Sequence, residues 1–187
     1  MNYLMLVNKN NGLGYDYTPE NLVKVKTKTG GDKLIYLEKE TYGNIKKLLK
    51  DMNKLFATEI VIDSGYRPYL YQENLMKELL IEKGEDAYKS LAKPGYSEHQ
   101  TGLAVDIGFY RDGVYDDNFN VLNYQEEFKW LQDNAYKYGF IVRYPKGKED
   151  ITGYIYEPWH LRYLGTVAEF LYKYNLTLEE YYFWFMK

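Results

Sequence analysis

Apolar residues recur along this chain with two different periods. Between Thr41 and Phe56 they fall at Tyr42, Ile45, Leu48, Leu49, Met52 and Leu55, a spacing that puts one stripe on the core-facing side of a helix. A second helix is predicted over Tyr69 to Lys83, stopping at Gly84 as its C-cap. A third runs from Tyr124 to Tyr138 and ends at Gly139, and a fourth covers Gly165 to Tyr174. The last, Leu178 to Met186, is opened by Thr177 and Glu180 at capping-box spacing. Between the helices lie short strand-like runs at Ile60-Val61-Ile62, Phe140 to Tyr144 and Tyr154 to Tyr156. Leu103 to Gly108 alternates, with Leu103, Val105 and Ile107 on one face and Ala104 and Asp106 on the other, as a strand does. The connections between strands are uneven and no phosphate-cradling glycine loop is present. The expected class is therefore α+β, an antiparallel central sheet flanked by helices rather than a doubly wound parallel one.

Composition narrows the picture. The 187 residues are 45% hydrophobic, with no Pro/Gly/Ser-rich linker, internal repeat or low-complexity stretch, so residues 1–187 are expected to form a single domain. A net charge of −3 offers no basic footprint for nucleic acid. The chain has no cysteine, which excludes a disulfide scaffold and a thiol nucleophile, and nothing resembles a serine-hydrolase elbow. Met1 to Val7 is apolar only briefly, has no positive residue before it and runs into Asn8-Lys9-Asn10-Asn11, so it reads as neither a signal peptide nor a membrane span. With Met1 as the native start the expected location is the cytoplasm; with a leader removed it is the cell envelope or exterior.

The chemistry is concentrated at the only two histidines. His99 lies in Ser97-Glu98-His99-Gln100-Thr101-Gly102-Leu103-Ala104-Val105-Asp106, and His160 in Glu157-Pro158-Trp159-His160. Hydrolytic zinc takes three protein ligands and keeps a fourth place for water, and His99, Asp106 and His160 supply that set, with Glu157 beside it as a general base. Gly102, permissive in backbone angle, can bend the chain so that His99 returns toward Asp106, and the small Ala104 leaves room for an ion. Pro158 biases Glu157 away from helical angles. Taken singly, a histidine is usually structural and a glutamate a solvated charge. Taken together, with no other histidine or cysteine in the chain, these residues favour the metal reading. Tyrosine is abundant, at 23 residues, a bias that an AT-rich genome explains for most of them. Of the aromatics near the motifs, Tyr66, Tyr69, Tyr96 and Trp159, only Trp159 is carried forward as a pocket residue.

These motifs resemble those of the zinc D-alanyl-D-alanine carboxypeptidases of the VanY type, in the wider group that includes lysostaphin-like peptidases, D-Ala-D-Ala dipeptidases and the hedgehog signalling domain. Ser64-Gly65-Tyr66-Arg67-Pro68-Tyr69, followed by Gln72, is similar to the arginine-bearing motif of that family. The likeness extends through Leu6 to Asn10, Tyr138 to Pro145 and Ile151 to Tyr154, in order along nearly the whole chain. It implies an α+β fold with zinc on a central antiparallel sheet, held by His99, Asp106 and His160, and Glu157 as the catalytic base. It also implies Arg67 as the group that steadies the oxyanion or substrate carboxyl, with Gln72 and Ser97 as further substrate contacts. A guanidinium fork suits a C-terminal carboxylate on physical grounds. The implied partner is a peptidoglycan stem peptide or a D-Ala-D-Ala-terminated precursor. Removal of the terminal D-Ala from pentapeptide is the leading activity. A bifunctional VanXY-type enzyme that also splits the free dipeptide, an L,D-carboxypeptidase acting on tetrapeptide, and a non-catalytic zinc-stabilised binding module are the alternatives.

Overall fold

The central sheet forms around a strand buried on both faces. In the computed structural model, which describes residues 2–27, 34–116 and 121–186, that strand is β4, Ala104–Arg111; Met1, on which the expectation about location turns, lies outside them. Leu22–Val25 (β1) and Ile35–Glu38 (β2) pair as a separate antiparallel ribbon. In the main sheet, Glu59–Ser64 (β3) flanks β4 on one side and Glu157–Tyr163 (β7) on the other. Phe140–Tyr144 (β6) pairs with the outer edge of β7, and Val114–Tyr115 (β5) turns back onto β4. Every pairing is antiparallel.

The alternation read in the sequence divides the sheet into an apolar and a polar face. Leu103, Val105, Ile107 and Phe109 are buried with Ile60 and Ile62 of β3 and Leu161 of β7. Ile45, Leu48, Leu49 and Met52 cover them from α1 (Lys39–Leu55), and Phe128 and Leu131 from α4 (Gln125–Asn134). Helix α1 starts where the Glu38 carboxylate accepts the Thr41 amide at 2.9 Å. Its far end is tied to β3 by Asn53, which accepts from the Ile60 amide and donates to the Ile60 carbonyl. Leu55, counted in the predicted stripe, is exposed in the last turn. A second cluster joins Ile141 to α6 (Val167–Tyr174) and α7 (Leu178–Phe185). Helices α2 (Tyr69–Lys83) and α3 (Ala87–Ser90) border the polar face, and the short α5 (Glu149–Thr152) packs against α7. No helix among the described residues is long and apolar enough to cross a membrane.

Three sequence expectations need correction. Tyr154 to Tyr156 is not a strand: β7 begins at Glu157, because its partner β6 ends at Tyr144 and the next residue, Pro145, has no amide to continue the ladder. The helix expected over Tyr124 to Tyr138 is α-helical only over Gln125–Asn134 and tightens into a 3-10 turn over Ala135–Tyr138. The helix expected from Gly165 starts at Val167.

Candidate metal centre

Asp106 is placed by register. On β4 it lies directly opposite His160 of β7 and opposite Ser64 of β3, on the face away from Val105 and Ile107. His99 arrives from the 3-10 turn Glu98–Thr101, which closes on Gly102 at φ 71°. A side chain at Gly102 would need that left-handed angle and would press on the Glu38 amide nitrogen at 3.2 Å, so glycine is required twice over. The chain then enters β4, and the two imidazoles meet edge to face with centroids 4.9 Å apart.

The resulting cluster crowds potential ligand atoms around one point. His99 Nε2 lies 3.1 Å from Asp106 Oδ2, and His160 Nδ1 lies 3.0 Å from Asp106 Oδ1. A carbonyl can only accept, so the 2.7 Å contact between His99 Nδ1 and the Gly65 oxygen assigns the ring proton to Nδ1. Burial, with the Arg67 charge adding to it, pushes the His99 pKa down to about 4, so the ring is neutral and Nε2 presents a lone pair. It faces a carboxylate that burial pushes up but the two histidines hold well below the usual range. His99 Nε2 and Asp106 Oδ1 are both buried without a hydrogen-bond partner. His99 Nε2 and the Asp106 Oδ2 it faces are both acceptors, a contact that a cation between them relieves, and one ligand atom from each of His99, Asp106 and His160 lies within 4.8 Å of the others. Two imidazoles and a carboxylate are a donor set that zinc takes.

Glu157 stands next to this trio. In a regular strand it would face away from His160, but β7 is irregular where Tyr144 pairs with Glu157, and the Glu157 carboxylate comes to 3.9 Å from His160 Nδ1. Burial pushes its pKa up to about 7, with His160 and Arg67 pulling the other way and Asp106 adding to the rise. A carboxylate so placed exchanges protons near neutrality.

A small cavity of ≈ 40 Å³ opens over the cluster, and Arg67, Gln72, Ser97, Tyr144, Tyr154 and Glu157 line it beside the histidines. Arg67 is half-buried with its Nε unpartnered, and Gln72 anchors its amide on the Ala92 carbonyl while leaving Oε1 unpaired. The structure thus brings together every predicted site residue except Trp159, which neighbours His160 on β7 and packs against the apolar core. Of the other aromatics weighed, Tyr96 borders an adjoining cavity, and Tyr66 contacts Thr18 through its hydroxyl.

One residue escaped the sequence reading. Glu98 is 2% exposed; its Oε1 accepts from Arg143 at 2.8 Å and Arg162 at 2.7 Å, and its Oε2 lies 3.5 Å from His160 Nε2. Burial pushes this carboxyl up, but the two guanidiniums outweigh it and hold Glu98 ionised. It therefore places an ionised carboxylate behind His160, on the side of the ring away from Asp106.

The family described as VanY, D-alanyl-D-alanine carboxypeptidase, matches residues 34–166. The chain belongs to the VanY family. Among relatives, this VanY-family chain is 44% identical over 186 residues to YodJ of Bacillus subtilis (strain 168), covering 97% of the chain and 67% of YodJ. It is 35% identical over 185 residues to the bifunctional D-Ala-D-Ala dipeptidase and carboxypeptidase VanXYC of Enterococcus gallinarum, covering 97% of the chain and 94% of that protein. It spans only 45% of the length of a D-alanyl-D-alanine carboxypeptidase of Enterococcus faecium. Two solved structures share the VanY-family fold closely. The LdcB LD-carboxypeptidase superimposes with a TM-score of 0.85 at 43% identity, covering 97% of this chain and 86% of LdcB. A Zn(II) complex of a mutant of the vancomycin-resistance D,D-pentapeptidase VanY gives 0.79 at 32% identity, covering 97% and 99%.

Proposed function

We propose that this chain is a zinc-dependent D,D-carboxypeptidase that removes the terminal D-Ala from peptidoglycan pentapeptide stems or D-Ala-D-Ala-terminated precursors. The observation that carries the reading is the Glu157 carboxylate, 3.9 Å from His160 Nδ1 and with its proton affinity raised by burial, beside three side chains suited to one divalent cation. His99, Asp106 and His160 would hold the zinc, which when bound supplies Lewis acidity toward water and the scissile carbonyl. Glu157 takes the proton from the attacking water and returns it to the leaving amine. Arg67, lining the same cavity, offers its guanidinium to the terminal carboxylate or to the developing oxyanion, with Gln72 and Ser97 bordering the bound peptide. No covalent intermediate is required. The Zn(II) content of the VanY neighbour and the D-Ala-D-Ala bound in a second such structure, VanYB, support the metal and the ligand class.

Two further readings have specific support. The likeness to LdcB favours an L,D-carboxypeptidase acting on tetrapeptide, and the likeness to VanXYC favours added cleavage of the free D-Ala-D-Ala dipeptide. Release of D-Ala from pentapeptide, tetrapeptide and dipeptide, measured side by side, separates them. Pentapeptide turnover is expected; inertness toward it with fast tetrapeptide turnover overturns the specificity. Glu157→Gln is expected to keep stoichiometric zinc while hydrolysis falls by about 10²-fold or more. Wild-type protein that binds zinc and cleaves none of the peptides would instead be a zinc-stabilised binding module.

A further inference from the structure

A second cavity adjoins the catalytic one. It has a volume of ≈ 290 Å³ and is bordered by Lys9, Tyr88, Leu91, Lys93, Tyr96 and Tyr154. Leu91, Ala92 and Tyr154 line both cavities, so they share a wall. Lys9 is fixed over the Tyr154 ring at 4.7 Å and donates to the Tyr88 carbonyl at 3.2 Å, which occupies one of its three N–H groups. Lys93 stands 5.2 Å from the centre of the Tyr88 ring. Among the described residues, neither ammonium has a carboxylate at ion-pair distance. The shared wall itself carries an unsatisfied group: Tyr154 is 5% exposed, and its hydroxyl is buried without a hydrogen-bond partner. A buried phenol in that state costs free energy unless water or a ligand completes it.

We propose that this cavity is an acyl-side subsite that takes a carboxylate-bearing residue of the peptide, upstream of the scissile bond. The proposal rests on the carboxypeptidase reading above. A carboxypeptidase substrate has one terminal carboxylate, and Arg67 in the catalytic cavity is placed to receive it. An anionic group that reaches Lys9 and Lys93 therefore belongs to a different residue of the same peptide. The groove on the other side of Arg67 is lined by Tyr36, Asp63, Tyr66 and Tyr71, among others; it offers no lysine, and its Asp63 is a half-buried carboxylate that accepts from the Tyr115 hydroxyl. A negative residue is thus directed toward the two lysines, where aromatic rings flank it and the Tyr154 hydroxyl can donate to the peptide as it crosses the shared wall. Substrates with a free carboxylate at that position should be preferred over those in which it is amidated.

The test uses two D-Ala-D-Ala-terminated stem pentapeptides that differ only in whether the upstream γ-linked glutamate carries a free carboxylate or an amide. For the wild-type zinc enzyme the carboxylate peptide should have the lower KM, and its KM should rise with salt more steeply than that of the amide, whose terminal carboxylate alone is screened. Lys9→Met with Lys93→Met keeps the apolar stems. It should raise KM for the carboxylate peptide about tenfold, as the sum of two partly solvated charge contacts. Its kcat, and KM for the amide peptide, should stay within about twofold of wild type. Equal KM for the two peptides in active wild-type enzyme, or a rise in KM for both in the variant, overturns the subsite while leaving the activity standing. Wild-type enzyme inert toward both peptides overturns the activity and the subsite together.

Discussion

The backbone amide of Arg67 donates to the carbonyl of His99 at 3.1 Å, and the His99 ring returns a bond from Nδ1 to the carbonyl of Gly65 at 2.7 Å. The two contacts lock the loop after β3 to the turn before β4. They set the guanidinium that would hold a substrate carboxylate at a fixed offset from the first metal ligand, without using the Arg67 side chain. They also settle the tautomer of His99, and so which nitrogen faces the cation.

The tightest point of that lock is Gly65, where an added Cβ would collide with the Tyr36 carbonyl oxygen and press on Ile35 Cγ2 at 2.9 Å. The Tyr36 oxygen already accepts the Tyr66 amide at 2.7 Å and cannot withdraw freely. Gly65→Ala should destabilise the fold by about 1–3 kcal/mol in denaturant titration and lower zinc affinity with it. A variant with wild-type stability and metal binding would show that the loop is not held by this contact.

Metal binding should be visible in thermal unfolding. Zinc bound only to the native protein at about 1,000 times its dissociation constant adds about 4 kcal/mol, or about 10 °C in Tm for a domain of this size. Asp106→Ala should abolish that gain, because the remaining imidazoles lose their shared carboxylate. Chelation of the wild-type protein should reproduce the Asp106→Ala melting curve measured with zinc. An unchanged zinc-dependent rise in Asp106→Ala would remove Asp106 from the ligand set.

Glu98→Gln should be costly in two measurements at once. It strips the shared carboxylate from Arg143 and Arg162, both fully buried, and breaking such an arrangement costs about 3–5 kcal/mol. It also removes the negative charge behind His160, which should lower metal affinity by about 10–100-fold in a competition assay with a chelator. Wild-type zinc affinity in a folded Glu98→Gln protein would show that Glu98 does not orient the ligand.

Acid should weaken the start of α7. Burial pushes the Glu180 carboxyl up, but the Thr177 amide and hydroxyl and Lys148 outweigh it and hold its pKa below the ordinary 4.5. A depressed native pKa contributes stability above the unfolded value, and this is lost as pH falls through the native one. The capping box should therefore make wild type about 1 kcal/mol more stable than Glu180→Gln at pH 7, with the gap closing below about pH 4. A gap independent of pH would exclude the ionised carboxylate as its source.

Much of this was legible in the chain itself. The alternation from Leu103 to Asp106 placed the carboxylate away from the core face, and two histidines left no other imidazole for a metal, so the trio could be named before any coordinates. The ribbon of β1 and β2 was not, because Leu22–Val25 is short, interrupted by a lysine and held by residues further along the chain. Glu98 was passed over because a single glutamate usually stays solvated; what buries it is Arg143 and Arg162, 45 and 64 residues away. Trp159 was taken for a pocket residue through its place in the motif, but alternation along β7 turns it from His160 to the core.

The chain of ionic contacts does not stop at the metal centre. Arg143, besides holding Glu98, grips both oxygens of Glu179 at 2.8 and 2.6 Å, at the start of the final helix. Proteolytic clipping or a frameshift that removes only the last ten or so residues would therefore cut the outermost anchor of His160, silencing the enzyme from a place its substrate never visits.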